Sequence, residues 1–130
     1  MYCTRNVSDS VVWVGGSDRR LALFENLFPI SRGVSYNSYL LLDEKTALID
    51  TVDASITGQF LDNIYHTLDG RSLDYLIVNH MEPDHCANIA ELMLRFPEMK
   101  LVGNAKTFAF INQFYNVDLT DRTVTVKEGD

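Results

Sequence analysis

The stretch YLIVNHMEPDHC, Tyr75 to Cys86, joins an apolar run to a polar one that holds His80, Glu82, Asp84 and His85. Tyr75 to Val78 is short and nearly all apolar, the pattern of a strand buried on both faces of an α/β sheet. Glu82 precedes Pro83, and a residue before proline avoids helical geometry. Residues 80 to 84 therefore read as a rigid non-helical loop that follows a strand end. In open α/β sheets the carboxyl ends of the strands are where ligand sites form.

The periodicity on either side agrees with a layered sheet. Downstream, Ile89, Leu92, Met93 and Phe96 recur at helical spacing and Pro97 stops the helix they define. Lys100 to Gly103 reads as a strand, Asn104 as the cap of a helix carrying Phe108, Ile111 and Tyr115, and Thr123 to Lys127 as a closing strand. Upstream, Ile56, Phe60, Leu61, Ile64 and Leu68 give an amphipathic helix capped by Ser55 or Thr57, with Gly70 just past its end. Two hairpins precede it. In the first, Val11 to Gly15 turns at Gly15-Gly16-Ser17-Asp18 and returns along Leu21 to Phe24; in the second, Tyr36 to Leu42 and Thr46 to Asp50 flank Asp43-Glu44-Lys45. Hairpins followed by alternating strand and helix predict an α/β fold, a mixed β-sheet with helices.

Composition narrows the function. The 130 residues amount to one domain, and 46% hydrophobic with 22% charged residues is ordinary for a globular protein. Eighteen acidic against eleven basic residues leave a net charge of -7, which opposes approach to phosphate backbones and anionic membranes. Neither nucleic acid nor a membrane is the expected partner. Cys3 and Cys86 form no CxxC pair and no disulfide framework, no stretch reaches transmembrane length, and Met1 to Ser10 lacks the apolar centre of a signal peptide. These features predict a cytoplasmic protein.

The polar run also reads as chemistry. His80, Glu82 and Asp84 offer an imidazole and two carboxylates at alternate positions, and no lysine or arginine lies between Arg71 and Arg95 to neutralise them. A divalent cation would do so. Taken singly, each residue has a plainer role: Asp84 as the cap of the helix starting near His85, Glu82 and the histidines as solvated loop residues. Taken together, in the order His-x-Glu-x-Asp-His between a buried strand and a helix, they point to a metal site. Met81 reads as a packing residue, His66 as a surface residue, and Cys86 as a soft ligand or a small core residue.

The motif resembles that of the flavodiiron proteins, also called A-type flavoproteins. Their metallo-β-lactamase-like domain carries H-x-E-x-D-H where zinc hydrolases of the same fold carry H-x-H-x-D-H. The resemblance extends through WVG at Trp13 to Gly15, RRL at Arg19 to Leu21, LFP at Leu27 to Pro29, GVSYNSYL at Gly33 to Leu40 and ALIDTV at Ala47 to Val52. Cys86-Ala87 departs from it, since a Ser-Gly pair is common there.

The resemblance implies a pair of non-haem irons that reduce dioxygen to water or nitric oxide to nitrous oxide. His80 and Glu82 would bind one iron and Asp84 the other, with His85 beside the metals. Electrons would come from FMN in a flavodoxin-like domain, fed by a rubredoxin-type or flavin reductase donor. On this reading residues 1–130 are the N-terminal part of the domain, the first half of an αββα sandwich. The second half and the flavodoxin-like domain would lie elsewhere, for no histidine follows His85. The isolated chain would then be inactive as a reductase and would form a homo-oligomer through its uncovered sheet. Two alternatives stand beside this one: a metal-dependent hydrolase of the same fold, against which Glu82 argues, and a fragment without catalytic competence.

Overall fold

The computed structural model describes residues 2–18, 23–24, 28–29, 34–79, 88–114 and 118–127. Its principal feature is a seven-stranded sheet in the order β1 (Arg5–Asn6), β2 (Val11–Trp13), β7 (Tyr39–Leu42), β8 (Thr46–Ile49), β9 (Tyr75–Ile77), β10 (Lys100–Gly103) and β11 (Thr123–Thr125). Pairing is antiparallel from β1 to β8 and parallel from β8 to β11. The sheet is mixed, as the sequence predicts.

One row of side chains explains the core. Val12, Leu40, Leu48, Leu76 and Leu101 are successive cross-strand partners and all are buried. Because side chains alternate across a strand, this register puts five apolar residues on one face. Three helices share the core with that row: α1 (Thr57–Leu68) through Phe60, Leu61, Ile64 and Leu68, α2 (Ile89–Arg95) through Ile89, Leu92 and Met93, and α3 (Ala105–Phe114) through Phe108 and Ile111. Each helix joins two parallel neighbouring strands, and the strands succeed one another in one direction across the sheet. Right-handed crossovers that all step the same way place their helices on the same face.

Local chemistry accounts for the ends of the elements. Asp53 accepts the Ser55 N–H at 3.0 Å and caps a short 3-10 turn, Ala54–Ile56, which leads into α1. Neither Ser55 nor Thr57 caps α1, whose N-cap position is Ile56 without a side-chain bond; the capping side chain, Asp53, belongs to the 3-10 turn before it. Asp69 and Gly70 both have positive φ and terminate α1. Asn104 accepts the Thr107 N–H at 2.8 Å, the expected cap of α3.

The first hairpin is corrected. Gly16–Asp18 is strand β3, paired antiparallel with β6 (Val34–Tyr36), and β4 (Leu23–Phe24) pairs with β5 (Phe28–Pro29) instead of returning along Val11 to Gly15. The glycines serve close approach: a Cβ on Gly15 would lie 1.9 Å from the Tyr36 carbonyl oxygen. The second hairpin, β7–β8, forms around Asp43-Glu44-Lys45, although Tyr36 belongs to β6 and the chain breaks at Asn37-Ser38 before β7 begins. No helix among the described residues is long and apolar enough to cross a membrane.

Candidate functional site

Parallel β8 and β9 run in register, Leu48 opposite Leu76 and Ile49 opposite Ile77, so their carboxyl ends lie side by side. From β8 the chain continues as Asp50-Thr51-Val52; from β9 it continues as Val78-Asn79 into the motif. His80, Glu82, Asp84 and His85 themselves lie outside the described residues, as do Met81 and Cys86. What the structure gives is the frame to which the motif is attached, on both sides.

Asp50 is the centre of that frame. It is 6% exposed and has φ 58°, a left-handed conformation that aspartate tolerates better than most residues. Its N–H donates to the Ile77 carbonyl at 2.9 Å, its carbonyl accepts the hydroxyl of fully buried Ser38 at 2.9 Å, and its carboxylate accepts the Asn79 N–H at 2.7 Å. The ends of β7, β8 and β9 are therefore fastened through one residue. Val78 donates to the Val102 carbonyl at 2.8 Å, which extends the fastening to β10.

The other end of the motif returns to the same place. Asn88, 2% exposed at the start of α2, donates from its backbone N–H to Thr51 Oγ1 at 3.3 Å and from Nδ2 to the Val52 carbonyl at 2.9 Å. Thr57 Oγ1 lies 2.7 Å from Asn88 Oδ1 and 2.9 Å from the Ala54 carbonyl, so its single proton serves one acceptor at a time. Buried polar groups that are satisfied in this way hold one arrangement, since breaking any of these bonds leaves a donor or acceptor stranded. Asn79 and Asn88 flank the eight residues 80–87, and both are tied to the run Asp50-Thr51-Val52.

Sequence reasoning passed over Asp50, Thr51, Ser38 and Asn88. The signal for the first two was Asp-Thr directly after the apolar strand Ala47-Leu48-Ile49, polar residues where the sheet ends. Elsewhere, His66 is exposed and stacks on Tyr2 with ring centroids 3.4 Å apart, in keeping with its expected surface role. Among the described residues no group of three or more His, Cys, Asp or Glu side chains is placed to hold a metal ion.

The family described as "ODP family beta lactamase" matches residues 34–130. The anaerobic nitric oxide reductase flavorubredoxin of Klebsiella pneumoniae is 37% identical over 82% of this chain and 22% of its own length. An anaerobic nitric oxide reductase flavorubredoxin homolog of Escherichia coli O157:H7 is 35% identical over 95% of this chain and 30% of its own. The crystallised rubredoxin oxygen:oxidoreductase of Desulfovibrio gigas superposes with a TM-score of 0.87 at 29% identity, covering 98% of this chain and 32% of that one. The chain thus spans between about a fifth and a third of the length of these relatives.

Proposed function

The chain belongs to the ODP family of beta lactamases, its relatives being flavorubredoxins and flavodiiron proteins, and from that premise we propose that it carries the first metal donors of a flavodiiron oxidoreductase. The observation that carries this reading is Glu82 in the middle of His80-x-Glu82-x-Asp84-His85, in the run that follows parallel strand β9, which is buried on one face only, through Leu76, and not on both as its sequence predicts. The donor set fits iron. Two carboxylates beside imidazole are harder and more anionic than an imidazole-rich zinc set, which suits a metal that must be stable in its higher oxidation state. His80 and Glu82 would hold one iron and Asp84 the second, with His85 as a further candidate donor.

The chemistry that such an iron pair supplies is reduction of dioxygen to water or of nitric oxide to nitrous oxide, with electrons arriving from FMN. The part of this chain is to hold the donors still. Asp50 and Ser38 lock the strand ends, and Asn79 and Asn88, which flank the donor-bearing run, are both tied to Asp50-Thr51-Val52. Three or four donors on one loop do not complete two coordination spheres, so the remaining ligands come from residues beyond these 130, as does the flavodoxin-like domain that binds FMN. A rubredoxin-type or flavin reductase donor is the partner that the names flavorubredoxin and rubredoxin oxygen:oxidoreductase suggest. A cytoplasmic setting suits Cys3, a free and exposed thiol.

Metal analysis of the anaerobically prepared full-length protein tests the reading. Two irons per chain are expected, and Glu82→Ala should lose both metal and reductase activity while the far-ultraviolet circular dichroism stays unchanged. Stoichiometric zinc with hydrolytic turnover would overturn it.

A further inference from the structure

The frame holds the motif loop at two points, and the two are built differently. At the entry, among the described residues, the tie runs from the Asn79 N–H to Asp50 Oδ1. At the exit, a buried side chain does the work: Asn88 gives a proton to the Val52 carbonyl through Nδ2 and offers Oδ1 to the Thr57 hydroxyl, while its backbone N–H meets Thr51 Oγ1. This combination demands an amide. An aspartate at the position would lack the donor for the Val52 carbonyl, an alanine would lack both groups, and the buried partners would be left unsatisfied.

We propose that Asn88 is a positioning residue for the metal donors of the 80–85 motif, acting by anchoring the exit of the loop to the extension of β8 and to the first turn of α1. The proposal rests on the metal-site reading given above and adds to it a residue that touches no metal. Asp84 and His85 lie four and three residues before the anchor. With both loop ends fixed to Asp50-Thr51-Val52, the donors between them have fewer arrangements to lose on binding, and a preorganised site binds more tightly. Groups that orient metal ligands without bonding the metal typically matter by about 10- to 100-fold in affinity. Thr57 carries the same argument one step outward, since its hydroxyl is the partner of Asn88 Oδ1 and it sits where α1 begins.

Titration of the metal-free full-length protein with Co²⁺, followed by the visible absorption of the bound ion, tests this beside its urea unfolding. Wild type should bind Co²⁺ and Glu82→Ala should not. Asn88→Ala and Asn88→Asp should raise the dissociation constant about tenfold or more and alter the absorption band, measured where the metal-free protein is fully folded. Thr57→Val, which leaves Asn88 in place, should weaken binding in the same direction, and Thr57→Ser, which keeps the hydroxyl, should restore it. If Asn88→Ala and Thr57→Val bind Co²⁺ with the wild-type constant and spectrum while losing stability, Asn88 is a structural residue and the proposal falls, with the metal site intact. If wild type binds no more Co²⁺ than Glu82→Ala, the metal reading falls and takes the proposal with it.

Discussion

Gly15 shows how one residue can decide the path of the chain. A methyl group there would sit 1.9 Å from the Tyr36 carbonyl oxygen and 3.1 Å from the Ser38 nitrogen, so the two backbone segments pass each other only because nothing intervenes. Gly15→Ala should lower the unfolding free energy by about 1–3 kcal/mol, the usual range for forcing extra volume into a packed site. Urea unfolding measures it, and an unchanged midpoint would show that the two segments are not in contact. The same residue marks a limit of what the sequence displays. A Gly-Gly pair ordinarily signals a turn; here its reason is a neighbour some twenty positions later, which no local pattern reveals. Asp50 was hidden differently. Its acidic type is visible, but its burial and positive φ depend on three strands meeting around it. His80, Glu82, Asp84 and His85, by contrast, stand out by residue type and spacing alone, and they lie outside the described residues.

Among the elements, those that bury one whole face could be read directly. The runs that form β7, β8, β9 and β10 and the spacing that forms α1 and α2 are dictated by apolar residues at periods of two or about 3.6. The two-residue strands β4 and β5 offer no such period, and their pairing was not readable. The register makes a sharp distinction between adjacent residues of β9. Leu76 is fully buried in the row from Val12 to Leu101, whereas Ile77 lies on the opposite, half-exposed face. Leu76→Ala should therefore cost about 2–5 kcal/mol and Ile77→Ala clearly less in the isolated chain. Paired denaturation curves decide it, and equal losses would mean that both faces are covered.

At the scale of the whole molecule, the opposite face of the sheet is its most consequential surface. Trp13, Tyr39, Ile49, Ile77, Val102 and Val124 form a second cross-strand row, none of it in the buried core and Val124 40% exposed. Apolar surface of even a few hundred Å² corresponds, at about 25 cal/mol per Å², to several kcal/mol on burial. The isolated chain should accordingly sediment as a dimer or larger species at micromolar concentration, with the faces packed together, and Ile77→Glu should return it to a monomer. A wild-type monomer that leaves a hydrophobic dye dark would refute this.

The order of strands in the sheet also bears on how the chain comes to be made. From β8 onward every strand lies beside the one that precedes it in sequence, so β8, β9, β10 and β11 are laid down successively at a single advancing edge. Each new strand meets a template that has already left the ribosome, and the helix linking it to that template can settle on the core as the strand docks. A fold assembled in its order of synthesis closes only short loops at each step, which keeps the entropic barrier to each addition low. The carboxyl ends of β8 and β9, with Asp50 between them, are thus completed by strands that precede α3 and β11 in the order of synthesis.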